Sequence, residues 1–210
     1  MKKLLPVVIV GLLCLVGCSK QEAQEPSEAT SGEANTAEPA GLKEALAKKP
    51  RNLTENPLIT KGDQQVDPKT LEPYSGKVFT LNEKKTIVEA EGFLLNGKGH
   101  GLATIYYKNG TKKAETNYRE GNEHGLRTLY KEDGTKGYEA NYKEGKAHGL
   151  QTDYYEDGTK KRETNYKEGK KHGSEIRYGT MLQQCQYSEG MKGQCTKVYD
   201  DKAARKLVHN

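Results

Sequence analysis

Residues 100–123 read HGLATIYYKNGTKKAETNYREGNE, residues 124–147 HGLRTLYKEDGTKGYEANYKEGKA, and residues 148–171 HGLQTDYYEDGTKKRETNYKEGKK. The chain therefore repeats itself every 24 residues, three times without a gap. A period of that length marks an array whose units cannot bury a face alone and are stable only when stacked on their neighbours. A shortened fourth copy opens at His172-Gly173 and lacks the Asp-Gly pair. Gly193 to Tyr199 aligns with an opening strand as a fifth half-copy. Upstream, Tyr74 to Gly99 reads as a diverged first copy, with Phe93 in the place of Tyr118.

Each copy holds two strand-like runs. Asn109-Gly110, Asp133-Gly134 and Asp157-Gly158 sit between them, and such pairs predict two-residue type I′ hairpin turns with positive φ at both central residues. The second connection, Arg119-Glu120-Gly121-Asn122-Glu123 in the first full copy, reads as longer. Two strands per copy joined in this way make an all-β, elongated, single-sheet antiparallel meander of tandem hairpins over residues 73–199. Alternation along a strand then sorts the faces. Leu102, Thr104 and Tyr106 recur as Leu126, Thr128, Tyr130 and as Leu150, Thr152, Tyr154; this constant set predicts the packed face. Their alternates Ala103, Ile105 and Tyr107 become Arg127, Leu129, Lys131 and then Gln151, Asp153, Tyr155. That changing set predicts a solvated, partner-facing surface. With 13 tyrosines, two phenylalanines and no tryptophan, stacked rings must supply much of the cohesion.

The units resemble the bacterial variant of the MORN repeat, whose pattern runs Tyr-Tyr, Asn/Asp-Gly, Lys-Lys, Tyr, Asn/Glu-Gly-Lys and His-Gly. That group includes the proteins labelled YwqK-type antitoxins. The resemblance covers roughly residues 74–199. It implies an elongated twisted antiparallel sheet, and a protein that binds and neutralises a toxin.

The start of the chain predicts export. Lys2 and Lys3 precede an apolar run from Leu4 to Val16, too short to span a bilayer and suited to the core of a signal peptide over residues 1–17. The run ends in Leu15-Val16-Gly17-Cys18, which resembles the lipobox of bacterial lipoproteins. The resemblance implies cleavage before Cys18 and acylation of its thiol, with palmitate among the chains attached. Ser19 stands where lipoproteins kept at the inner membrane often carry Asp. This implies a lipid-anchored envelope protein, at the outer membrane facing the periplasm if the cell has two membranes. Residues 18–72 are rich in Glu, Ala, Ser, Thr and Pro without hydrophobic period. They read as a flexible tether with one short helix at Leu42–Lys48. Residues 200–210 read as a tail holding a short capping helix.

Cys185 and Cys195 lie five residues on either side of Gly190 in a strand–turn–strand segment. An exported compartment favours a disulfide between them, across a non-hydrogen-bonded pair where Cβ atoms approach most closely.

The remaining chemistry-bearing residues argue against catalysis and cofactors. His100, His124, His148 and His172 recur once per copy, so neighbours stand about 9.5 Å apart, two strand spacings. Two nitrogens on one zinc ion lie within about 4 Å of each other, so this row predicts no metal site and each His-Gly shapes a turn. Glu115, Glu139 and Glu163 recur beside lysines and fit cross-strand charge pairs on a solvated face. Residues 97–101 are Gly-Lys-Gly-His-Gly but lack the spacing and Lys-Ser/Thr end of a phosphate loop. From Lys98 to Arg177 there are 17 basic and 13 acidic residues, interleaved, whereas nucleic-acid binders concentrate one sign on a face. The expectation is a non-enzymatic envelope module that binds a protein, as an immunity protein against a cognate toxin or, alternatively, as a structural or adhesive scaffold.

Overall fold

A computed structural model describes residue 39 and residues 41–179 and 182–198. The expected signal peptide, Cys18 and the tail at 200–210 lie outside these residues. One helix, α1 (Leu42–Ala47), is followed by fifteen strands. They are β1 (Arg51–Asn52), β2 (Ile59–Lys61), β3 (Gln64–Val66), β4 (Gly76–Leu81), β5 (Val88–Leu95), β6 (Lys98–Gly99), β7 (Gly101–Tyr106), β8 (Lys112–Arg119), β9 (Asn122–Tyr130), β10 (Lys136–Lys143), β11 (Lys146–Tyr154), β12 (Lys160–Lys167), β13 (Lys170–Arg177), β14 (Leu182–Ser188) and β15 (Met191–Val198). Thirteen form one sheet. From β4 to β15 it is an antiparallel meander of consecutive hairpins, with β1 added in parallel on β4 and β6 paired to β5. The sheet stays open, as the repeat predicts.

The two kinds of turn are the reverse of the sequence expectation. Positive φ at both central residues, the mark of type I′, occurs at Glu120-Gly121, Glu144-Gly145, Glu168-Gly169 and Glu189-Gly190. The Asn-Gly and Asp-Gly turns have positive φ at glycine alone. In the first, Gly110 N–H donates to the Tyr107 carbonyl and Tyr107 N–H to the Thr111 carbonyl, a three-residue turn closed by a left-handed glycine. The Asn109 carboxamide oxygen accepts from both the amide and hydroxyl of Thr111 at 2.9 and 2.6 Å. This side-chain bond mimics a backbone turn, so Asn109 need not enter the left-handed region. Asp133 and Asp157 do the same for Thr135 and Thr159. The tighter Glu-Gly turns lean on the preceding unit instead: Gly121, Gly145 and Gly169 N–H donate to the carbonyls of Gly99, Glu123 and Ala147.

His-Gly acts within strands. Gly125, Gly149 and Gly173 have positive φ beside register shifts at Thr116/Tyr118, Ala140/Tyr142 and Thr164/Tyr166. A tyrosine lies opposite each glycine: Tyr142 on Gly125, Tyr166 on Gly149 and Tyr187 on Gly173. The positive φ is what requires glycine here, since a Cβ at Gly125 would only touch the Asn117 Cβ at an ordinary 3.6 Å. In the first copy the equivalent pair is Leu94 on Gly76. Leu94 is therefore the residue in Tyr118's place, and Phe93 points to the other face, because adjacent strand residues alternate.

Residues 41–75 are folded, which corrects the tether expected over 18–72 for this part. The predicted helix forms as α1. Beyond it, Leu53, Leu58 and Tyr74 pack on Val78 and Leu94 of the sheet, and Leu53 is 1% exposed. Leu53 N–H also extends the parallel pairing by donating to the Phe79 carbonyl, and Leu81 N–H donates to Thr54 Oγ1. Scattered apolar residues escape a periodicity search because each is seated individually on a surface the repeats supply.

Candidate partner-binding face

The two sheet faces are built differently. On one, called here the ladder face, successive strands align Thr104, Glu115, Thr128, Glu139, Thr152 and Glu163 in a row. The threonines are buried. Tyr130 Oη donates to Glu115 at 2.6 Å, and Tyr154 and Tyr178 make the same bond to Glu139 and Glu163. Lys112, Lys136 and Lys160 bridge the other oxygen of each glutamate at 2.6, 2.7 and 2.6 Å. Bonds from Lys112 and Tyr130 hold the Glu115 carboxyl below the ordinary range. At Glu139, burial pushes upward but the bonds from Lys136 and Tyr154 outweigh it, so its carboxyl is also lowered.

This arrangement corrects the prediction of a packed face in part. The constant leucines are open: Leu102 is 49% exposed, and Leu126 and Leu150 are exposed too. No second layer covers them among the described residues. Constancy from copy to copy follows the Tyr–Glu–Lys ladder rather than a buried core, and sequence patterning alone does not separate the two causes.

The opposite, variable face carries all six residues predicted to meet a partner. Arg127 and Gln151 flank Ala140 in one row, and Leu129 and Asp153 flank Tyr138 in the next. Lys131 and Tyr155 lie at the turn edge. The prediction of a freely solvated set does not hold. Five are half-buried and only Tyr155 is exposed. Lys131 Nζ donates to the Tyr155 carbonyl at 2.6 Å, and Tyr155 Oη to the Tyr178 carbonyl at 2.7 Å, so this edge position stitches units together. Arg127 donates to Glu123 at 2.8 Å. Asp153 accepts from Arg162 Nε at 2.8 Å and from Gln151 Nε2 at 3.4 Å.

Continuing the rows shows what the sequence reading missed. One runs Thr116, Arg127, Ala140, Gln151, Thr164, Glu175, Cys185, Cys195. Its neighbour runs Ile105, Ala114, Leu129, Tyr138, Asp153, Arg162, Arg177, Gln183. The second row changes from apolar residues at its start to Asp153, Arg162 and Arg177 further along, whereas the first mixes small, polar and charged side chains and ends in the cysteine pair. The apolar start is where residues 41–75 lie, and Leu53 shares a small void of about 30 Å³ with Val78, Gly92, Ala103 and Tyr118. Tyr138, Arg162, Glu175 and Arg177 come from returning strands and the irregular fourth copy, outside the opening-strand comparison. The three-residue turn, read correctly, carries the parity across to them.

Glu175 is the most enclosed of these, at 1% exposed. Lys171 and Arg177 bracket it. Burial alone would raise its carboxyl, but these two cations outweigh burial and hold it below the usual range. The predicted cysteine pair is directly opposed, Cys185 to Cys195 with Cα atoms 4.0 Å apart, and joined as a disulfide. No group of three or more metal-ligating side chains occurs among the described residues. Nor is any helix among them long and apolar enough to cross a membrane.

No protein-family model matches this chain, and no curated protein matches it. Among solved structures, a GtfA/B complex bound to UDP and GlcNAc is similar over 53% of this chain at 15% identity, with a TM-score of 0.33. This chain spans only 25% of that one. At that score the likeness carries no argument.

Proposed function

We propose that this protein is a non-enzymatic, lipid-anchored envelope protein whose sheet binds another protein, and that it serves as an immunity protein neutralising a cognate effector toxin. The observation that carries the reading is the division of labour between faces. The ladder face repeats the same bonds in each copy, so backbone geometry is kept constant. On that frame, the variable face exchanges Ala103 for Arg127, Gln151 and Glu175 at one position, and Ile105 for Leu129, Asp153 and Arg177 at another. A fixed scaffold presenting different side chains at regular spacing is suited to recognising a protein surface. Its repeated carboxylates are tied to lysines and tyrosines rather than held in the asymmetric, desolvated setting that acid–base catalysis needs. The resemblance to antitoxin-labelled repeats and the lipobox-like Cys18 supply the toxin and the envelope.

The test is a competition between a strain lacking the gene and toxin-producing siblings. The deletion strain is expected to be killed, and rescued by the whole gene but not by a Cys18→Ala version. Unchanged survival of the deletion strain sinks the immunity reading.

A further inference from the structure

The variable face is already covered at one end: the chain's own Leu53 and Leu58 pack on Val78 and Leu94 of its first unit. Tyr118 in the covered part is 6% exposed, whereas its equivalents Tyr142 and Tyr166 are only half-buried. Beyond the cover the surface changes chemistry, and its arginines have more donors than its acids can use. Arg162 and Arg177 are directly opposite each other on β12 and β13, and Asp153 and Glu175 beside them offset the juxtaposed like charges. Each is anchored sideways, Arg162 to Asp153 through Nε and Nη2 and Arg177 to Glu175 through Nε. Arg127 is held through Nη1, while its buried Nε has no hydrogen-bond partner. All three nearby acids, Glu123, Asp153 and Glu175, are already bonded.

We propose that the variable face over β9–β13 docks an acidic, extended segment of a protein partner, with carboxylates received by Arg127 and by the Arg162–Arg177 pair. A carboxylate between paired guanidiniums accepts charge-assisted hydrogen bonds from the N–H groups their own acids leave unused. From β9 to β13 the rows extend for about 19 Å at the usual strand spacing, a length that six or so extended residues cover. This rests on the protein-binding reading above but not on the partner being a toxin.

The test uses the full mature chain and a soluble peptide alternating glutamate with threonine, with a lysine-for-glutamate peptide as control. Binding is followed by titration calorimetry and by the arginine Nε–H signals in NMR. The expected result is selective binding of the acidic peptide, weakened by salt and shifting the Arg127, Arg162 and Arg177 signals. Arg162→Gln with Arg177→Gln should weaken it tenfold or more, on the order of one lost charged hydrogen bond. Arg162→Lys with Arg177→Lys should lose most of that affinity too, because an ammonium cannot fork, and a folded β spectrum shows that either variant is intact. Equal binding of both peptides, or unchanged affinity in the double Gln variant, overturns the proposal. So does preference for anionic vesicles over the peptide. Residues 19–38 carry Glu22, Glu25, Glu28, Glu33 and Glu38. If binding appears only after these become Gln, the chain's own segment is the occupant and the partner proposal fails. Peptide binding without protection in the sibling competition would retain this surface and reject only the immunity role.

Discussion

Leu53→Ala separates a structural cap from a tether. Leu53 is 1% exposed and packs against Leu58, Val78 and Leu94. Removing three carbons forfeits about 2.4 kcal/mol of transfer energy at ~0.8 kcal/mol per methylene. The sheet side of the site is fixed by strand pairing, so collapse is incomplete and a cavity term adds to this. A cost of about 3 kcal/mol follows, within the range of ~2–5 kcal/mol for buried Leu→Ala changes. Because contacts in a repeat array run between neighbours, the loss should stay local. Native-state hydrogen exchange is the suitable assay: amides of β1, β4 and β5 should exchange on the order of a hundredfold faster, about 3 kcal/mol, while β10–β12 keep their rates. Leu46→Ala on α1, at a side chain 49% exposed, should change rates little, within ~0.5 kcal/mol. If Leu53→Ala behaves like Leu46→Ala, residues 41–75 are not a cap and the packing argument is wrong.

Three further outcomes follow from the same geometry. Glu144 occupies a left-handed conformation, φ 51°, in a type I′ turn, so Glu144→Asn should stabilise the array by roughly 0.5–1 kcal/mol, as Asn-Gly suits that turn better; a lower urea midpoint would contradict the turn assignment. Burial and the Glu139 carboxylate push the Tyr154 hydroxyl up to about 12, and the equivalent bonds, with burial, push Tyr106 and Tyr130 up to about 12. A folded pKa above the unfolded ~10 stabilises fully below that pH and is lost as pH rises through about 12. The urea midpoint should therefore fall between about pH 10 and 12, and less steeply in Tyr154→Phe, which should itself cost about 1.5–2 kcal/mol at neutral pH; identical pH slopes in both proteins would refute the ladder. Opening the disulfide by Cys195→Ser should cost roughly 2–3 kcal/mol for so short a loop, seen as faster exchange confined to β14 and β15; loss of protection as far as β10 would show the array to be more cooperative than its pairwise contacts imply.

Legibility varied with how local the determining physics was. The strand-by-strand meander and the cysteine pairing follow from spacing alone, because a 24-residue period and two glycine-bearing turns leave few ways to fold. The turn types were exchanged, since Asn109, Asp133 and Asp157 bond their own main chain while Glu120, Glu144 and Glu168 accept strain beside glycines held by the preceding unit. The variable positions Arg127, Leu129, Lys131, Gln151, Asp153 and Tyr155 were found together. Their companions Tyr138, Arg162, Glu175 and Arg177 were not, because they arrive from strands whose parity depends on the turn geometry.

Repetition by itself determined that the repeat region from β4 to β15 is one open sheet of stacked hairpins, since each copy's apolar content is too small to fold except against its neighbours. Only the tertiary structure decided where residues 41–75 go and what each face is. A lone Leu53 has no meaning until Val78 and Leu94 lie beneath it. A constant leucine and a constant threonine look alike in sequence until one proves exposed and the other buried. The physical reason is the same in both cases: periodicity records which side chains share a face, whereas burial depends on what else in the chain comes to cover it.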